Sequence, residues 1–395
     1  MRPDPRLIPR LDVEFGFDDM LLYTRSSGHA LEDVKRGMRG LLPEGGTLFV
    51  DSGRTALYLA LRALLLEKEA KVGVPLYTCD VIFDAIVKAG CTPVFIDVDP
   101  ETYTMDPRDL ERKAKGLAAV VPVHTFGHPA DMDEILAVAG KTKVVEDCVH
   151  GLGAKYKGKP VGSFGDACFY SFRSGKPLSA GNVGLLLCKE EDIFTRAGNI
   201  WREFPSYSRR EQAVDSLKQF GRGMFYRPPW FGLFALPVGG IADSTLDFMG
   251  KAGFDPHKSS DGALEVVARR LENYPARLAK ARENARMLVG TLASSPAAPP
   301  IERNWAFHSY FLFAARFRDR SARDAASTYL AKHGVDSIKF YADVPKIAAG
   351  YGYGGDCPVS ESAASTILTV PGHGRLTRQQ ITKVAAALRG LGEAR

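Results

Sequence analysis

The chain has 395 residues, 45% hydrophobic and 25% charged, enough for one large domain and a smaller one around a substantial core. Its net charge of +6, with no concentrated basic tract, suits an anionic small molecule and argues against nucleic acid. Six scattered cysteines without C-x-x-C spacing, no apolar signal core in MRPDPRLIPRLDVEF and no bilayer-length apolar run argue against zinc, disulfides, secretion and membrane spans; a reducing cytoplasm is expected.

Residues 1–46 read as an arm with a short helix over 31–42. A strand at 47–50 then leads through Asp51, Ser52, Gly53, Arg54 and Thr55 into a helical run, 56–69. Strand, small polar turn and helix together offer free N–H groups and a positive dipole end to a phosphate. Ser, Gly and Thr are also ordinary helix caps, so this signal is weak alone. Strands at 72–75, 93–98 and 118–123 alternate with helical stretches such as 81–89, which implies βαβ units and a mainly parallel sheet. Ligands bind such sheets at the carboxyl ends of the strands, where His124, Asp147 and the loop after Tyr77 would gather.

Val144 and Val145 read as a buried strand ending in Glu146 and Asp147. A Gly-rich turn region and a second apolar run, 167–172, precede Lys176, which stands between Gly175 and Pro177. A desolvated lysine just past a buried strand can form a Schiff base with a carbonyl cofactor. On spacing alone, a surface loop lysine is the commoner reading.

The segment 201–256 carries Arg202, Arg209, Arg210, Lys218, Arg222 and Arg227 against Glu203, Glu211 and Asp215, then the aromatic run FYRPPWFGLFALPVGG. It reads first as a loop packed on the domain or a dimer mate, then as a substrate lid, and third as a peripheral membrane contact through 225–238. Residues 264–292 predict a long amphipathic helix that Pro275 should kink or split. Beyond 300 the pattern suits a smaller α/β domain: strands at 309–315, 337–341 and 366–370, helices at 322–333 and 378–391. A boundary at 260/261 follows, with 201–256 an atypical insertion in the large part.

Taken together, several runs resemble the sugar aminotransferases of the DegT/DnrJ/StrS type, pyridoxal-phosphate enzymes of fold type I. Ser52-Gly53-Arg54-Thr55-Ala56-Leu57 is similar to a family S-G-T-x-A-L segment, and KAGCTPVFIDVDPETYTMDP and the run from His124 to Asp131 follow the family wording. Glu146-Asp147, His150, Gly162-Ser163-Phe164-Gly165-Asp166, Ser171-Phe172 and Lys176 complete an ordered signature. The likeness is strong over about 30–200 and weaker over 260–395.

The resemblance implies a mainly parallel sheet flanked by helices, a smaller C-terminal α/β domain, and a homodimer with shared active sites. It implies Lys176 as cofactor anchor and general acid–base, and Asp147 as the carboxylate that keeps the pyridine nitrogen protonated. His150 would lie beside the ring, with Ser52, Gly53, Arg54, Thr55 and Ser171 around the phosphate. Where the family places an aromatic residue against the ring, this chain has Cys79, and Tyr77 is the substitute considered. No counterpart of the family's G-x-N-x-R-M segment is evident beyond Pro256-His257-Lys258, and the run after the lysine reads Gly181-Asn182-Val183-Gly184. His124, Arg222 and Arg227 are expected on the substrate side, with 201–256 choosing the acceptor. The implied reaction moves an amino group from an amino acid, glutamate being the expected donor, to a keto group of a sugar or sugar nucleotide. Sugar dehydration and a non-catalytic ligand-binding relative are the alternatives. Family members that dehydrate carry His at the lysine position, so Lys176 favours transfer.

Overall fold

The computed structural model describes residues 4–24, 29–235, 254–293 and 295–392. Seven strands form the central sheet: β1 (Gly46–Val50), β2 (Lys71–Pro75), β3 (Thr92–Ile96), β4 (Leu117–Val120), β5 (Lys143–Asp147), β8 (Ala167–Ser171) and β9 (Gly184–Cys188). The short β6 (Lys155–Tyr156) and β7 (Lys159–Pro160) form a hairpin between β5 and β8, joined at its edge by β10 (Ala306–Phe307). The strand order is β1-β9-β8-β5-β4-β2-β3, parallel from β3 through β8, with β9 reversed between β8 and β1. Every residue of β8 and β9 is buried, and so are the last four of β5, as strands covered on both faces require.

The covering helices are α1 (Phe17–Thr24), α2 (Ala30–Met38), α3 (Gly53–Ala63), α4 (Val81–Lys88), α5 (Pro107–Lys113), α6 (Met132–Ala139), α7 (Glu191–Glu203) and α8 (Arg209–Phe225). Helix α3 starts earlier than 56 because Ser52 caps it, its Oγ accepting from the Thr55 amide at 3.2 Å. It also stops short of 69. Leu65 and Glu69 take left-handed backbone (φ 55° and 63°), which a continuing helix does not permit.

The helix expected over 264–292 is two helices, Asp261–Leu271 and Tyr274–Leu292. Pro275 sits in the first turn of the second, where its missing N–H has no partner to lose. Residues 201–225 are not a loop: α7 runs to Glu203, and a Ser208–Glu211 capping box then starts the 17-residue α8. Residues 236–253, which include the end of the 225–238 stretch, lie outside the described residues.

In the C-terminal part, β11 (Phe313–Arg316) pairs antiparallel with β12 (Ile367–Val370), and helices 274–292, 320–332 and 378–390 bury a separate core that includes Leu288, Phe313, Leu330 and Val384. The strand expected at 337–341 reduces to one bridge, Ile338 to Thr369, because Tyr341 turns into left-handed backbone (φ 56°). The N-terminal arm reaches this part as well. Ile8 bridges Val335 and packs in the same core, and Arg10 Nε lies 3.1 Å from Asp336. No described helix is long and apolar enough to cross a membrane.

Candidate active site

The carboxyl end of β5 is organised by Glu146. Its fully buried carboxylate accepts from the backbone amides of Gly162, Phe164 and Gly165, each at 2.7 Å, and lies 3.1 Å from His124 Nε2. A buried carboxylate is tolerated only when its oxygens are supplied with donors, and the turn 162–165 supplies three. Asp166 secures the other end of that turn, accepting from the Val144 amide and from Lys143. This explains why a glycine-rich turn follows the Glu-Asp pair.

With Glu146 facing the turn, Asp147 projects from the neighbouring position into a cavity of about 220 Å³. The cavity lies over the ends of β1, β5 and β8. Its walls include Ser52, Gly53 and Arg54 at the start of α3, Cys79 after β2, Asp147 and His150 after β5, and Ser171 and Lys176 after β8. Eight of the expected site residues thus share one wall system.

Lys176 and His150 meet on the cavity wall. His150 Nδ1 accepts from the Phe126 amide at 3.3 Å, so the neutral ring carries its proton on Nε2. That nitrogen is 3.4 Å from Lys176 Nζ, so the ring can donate to the amine lone pair once the lysine is deprotonated. Burial holds the His150 pKa well below the ordinary value, and the Lys176 cation lowers it further. Burial also lowers the Lys176 pKa, partly offset by Cys79 and Asp147. Burial raises Asp147 to about 6, against a 2.9 Å bond from the Val149 amide and the charge of Lys176.

The phosphate-like end is cationic. Burial depresses the pKa of Arg54, Arg222 and Lys176, and the charge of Arg173 lowers all three further. Arg54 and Arg173 therefore share the wall near the α3 N-terminus, where an anion would relieve their repulsion. Gly53 belongs to the same cradle. A Cβ there would approach Ser171 Cβ at 3.1 Å and Val149 Cγ2 at 3.2 Å.

Five expected residues stand elsewhere. His124 is fully buried with both ring nitrogens engaged, one with Glu146 and one accepting from the Ala130 amide at 3.0 Å, so it supports the β5 end and does not face a substrate. Tyr77 is not on the cavity wall. Its hydroxyl donates to the Phe340 carbonyl at 3.2 Å and its ring packs edge-on against Tyr103, Phe126 and Tyr341. Thr55 is buried in the first turn of α3, its Oγ1 3.0 Å from Ser52 Oγ. Arg222 approaches the site through Arg173 without lining the cavity, and Arg227 is exposed near Gly16.

The lining residues outside the sequence expectations include Arg173 and Tyr341. Arg173 sits inside the Ser-Phe-x-x-x-Lys run as an unspecified position. Tyr341 comes from the C-terminal part, its ring within 8° of parallel to that of His150 at 6.4 Å, and no local sequence signal marks it.

The family model of the DegT/DnrJ/EryC1/StrS aminotransferases matches residues 24–227 and 259–389, with 228–258 unmatched between them. A UDP-N-acetyl-3-dehydro-alpha-D-glucosamine 3-aminotransferase from Acidithiobacillus ferrooxidans is 30% identical over 94% of this chain and 90% of its own length. A GDP-perosamine synthase from Caulobacter vibrioides is 26% identical, covering 86% of this chain and 83% of itself. Among solved structures, the aminotransferase TlmJ from Streptoalloteichus hindustanus superimposes with a TM-score of 0.79 at 22% identity, covering 98% of this chain and 99% of that one, which shows a shared fold. Matched along most of its length by family and relatives alike, this chain belongs to the DegT/DnrJ/EryC1/StrS aminotransferase family.

Proposed function

We propose that this aminotransferase uses pyridoxal phosphate to move an amino group from an amino acid, glutamate being the expected donor, to the keto group of a sugar or sugar nucleotide. The observation that carries the reading is Lys176. Its amine is desolvated, set against a neutral His150 and faces the same cavity as Asp147, beside a helix N-terminus ringed by arginines. Ser52, Gly53, Arg54, Ser171 and Arg173 would hold the phosphate, and Asp147 the proton on the pyridine nitrogen. Thr55 supports that turn from within the helix. When bound, the cofactor supplies an electron sink for the charge left at carbon as a proton departs.

The chain's own residues do the rest. Lys176 Nζ, whose charged form burial disfavours, accepts that proton and returns it; His150 holds the amine in place; Cys79 and Tyr341 close the walls. The named relatives act on sugar nucleotides, and Arg222, turned toward Arg173, suits an acceptor phosphate. Purified protein should turn yellow with pyridoxal phosphate and bleach on adding glutamate. Protein that the cofactor does not tint would instead be a non-catalytic relative. Pairing of two chains belongs to the same reading, and a monomer in light scattering at micromolar concentration would count against it.

A further inference from the structure

Helix α8 is folded with its polar side inward. Ser216, Gln219 and Gly223 are its buried residues; Ser174 donates to Gln219 Oε1 at 2.5 Å, Asp215 receives the Tyr23 hydroxyl, and Ser216 donates to the Met20 carbonyl at 3.3 Å. The outward side is apolar. Val214, Leu217, Met224 and Phe225 are spaced to share one stripe and are 46%, 63%, 38% and 42% exposed. A surface helix ordinarily shows the opposite arrangement. The chain then continues through Trp230 and Phe234, exposed and 5.7 Å apart.

We propose that this face rests on a membrane surface carrying anionic lipids. Charge selects that occupant. Arg210 falls on the stripe by helical spacing, and Lys218 flanks it, both exposed, with exposed Arg227 just beyond the helix. A second copy packed antiparallel on this helix about a two-fold axis would bring the Arg210 end of each chain against the Arg227 end of the other, with Lys218 between them. An anionic bilayer presents the opposite sign, and Trp and Phe beside basic side chains suit its interface. Because Gln219 and Arg222 turn the same helix toward Ser174 and Arg173, docking here would hold the cavity mouth near the bilayer. This inference is independent of the reaction proposed above.

Sedimentation of the cofactor-loaded protein with vesicles tests it. Wild-type protein should bind phosphatidylcholine vesicles containing phosphatidylglycerol, bind pure phosphatidylcholine weakly, and come off as salt rises. Leu217→Gln/Met224→Gln should weaken binding by about tenfold or more, since interfacial binding scales with buried apolar area. Lys218→Gln should weaken it by about fivefold, the share of one cation near an anionic surface. Both variants should keep the glutamate half-reaction and the wild-type melting temperature, so a failure of folding or of the reaction reads separately. Absence of wild-type binding to anionic vesicles at low salt overturns the proposal. So does conversion of a dimer to a monomer by the double variant, which would assign the face to a second copy.

Discussion

Replacing Asp147 by Asn should stabilise the cofactor-free protein while damaging the enzyme. The carboxyl is 4% exposed and burial raises its pKa from the ordinary 3.8 to about 6. A raised folded-state pKa means that the folded protein prefers the protonated form. That stability is fully present below pH 4 and is lost as pH rises through 6. The rise from 3.8 to about 6 corresponds to about 3 kcal/mol lost at neutral pH. Asn keeps an acceptor for the Val149 amide and cannot ionise, so it should recover up to that amount at pH 7.5 and almost none at pH 4. Urea unfolding of both cofactor-free proteins at the two pH values measures this. The same protein should bind pyridoxal phosphate more weakly and lose transfer activity. An equal gain at both pH values, or a loss at neutral pH, would refute the idea that Asp147 is a buried charge awaiting a cationic partner.

Lys176→Ala should abolish both half-reactions, with acid–base loss alone worth roughly 10²–10⁴-fold, and borohydride should no longer fix the cofactor to the chain. Substitutions at Lys155, Lys157, Lys159 or Lys189 should leave both properties intact. Arg222→Ala should raise the acceptor KM and spare the glutamate half-reaction, whereas Arg227→Ala, exposed and away from Arg173, should change neither by more than about twofold. Glu146→Gln should lower the unfolding free energy by roughly 3 kcal/mol, because an amide nitrogen would face backbone donors, and cofactor affinity should fall with it.

The residues legible from sequence are those whose roles are set by near neighbours in the chain. Glu146 and Asp147 alternate across one strand, the 162–165 turn answers Glu146, and Ser52 caps the helix that begins beside it. His124 was open to misreading because a histidine at a strand end serves equally well as ligand contact or as buried prop. Only the positions of Glu146 and the Ala130 amide decide between them. Tyr77 and Tyr341 exchanged places for a similar reason, since which tyrosine faces the cavity depends on a left-handed turn at 341 that no periodicity announces. The segment after residue 200 misled because α8 is apolar on its outer face, so its pattern does not read as an ordinary surface helix.

The stitching of Ile8 to Val335 and of Arg10 to Asp336, with Tyr341 in the cavity wall, bears on the timing of synthesis. On the ribosome the sheet and Lys176 are made long before residue 335, yet the arm at the chain's start has no final seat until then. The nascent chain therefore carries its reactive lysine before the last wall of the cavity exists. Ordered capture of the cofactor should be among the final events of folding. A chain stopped near residue 300 would hold the anchor residue without the enclosure that makes it selective.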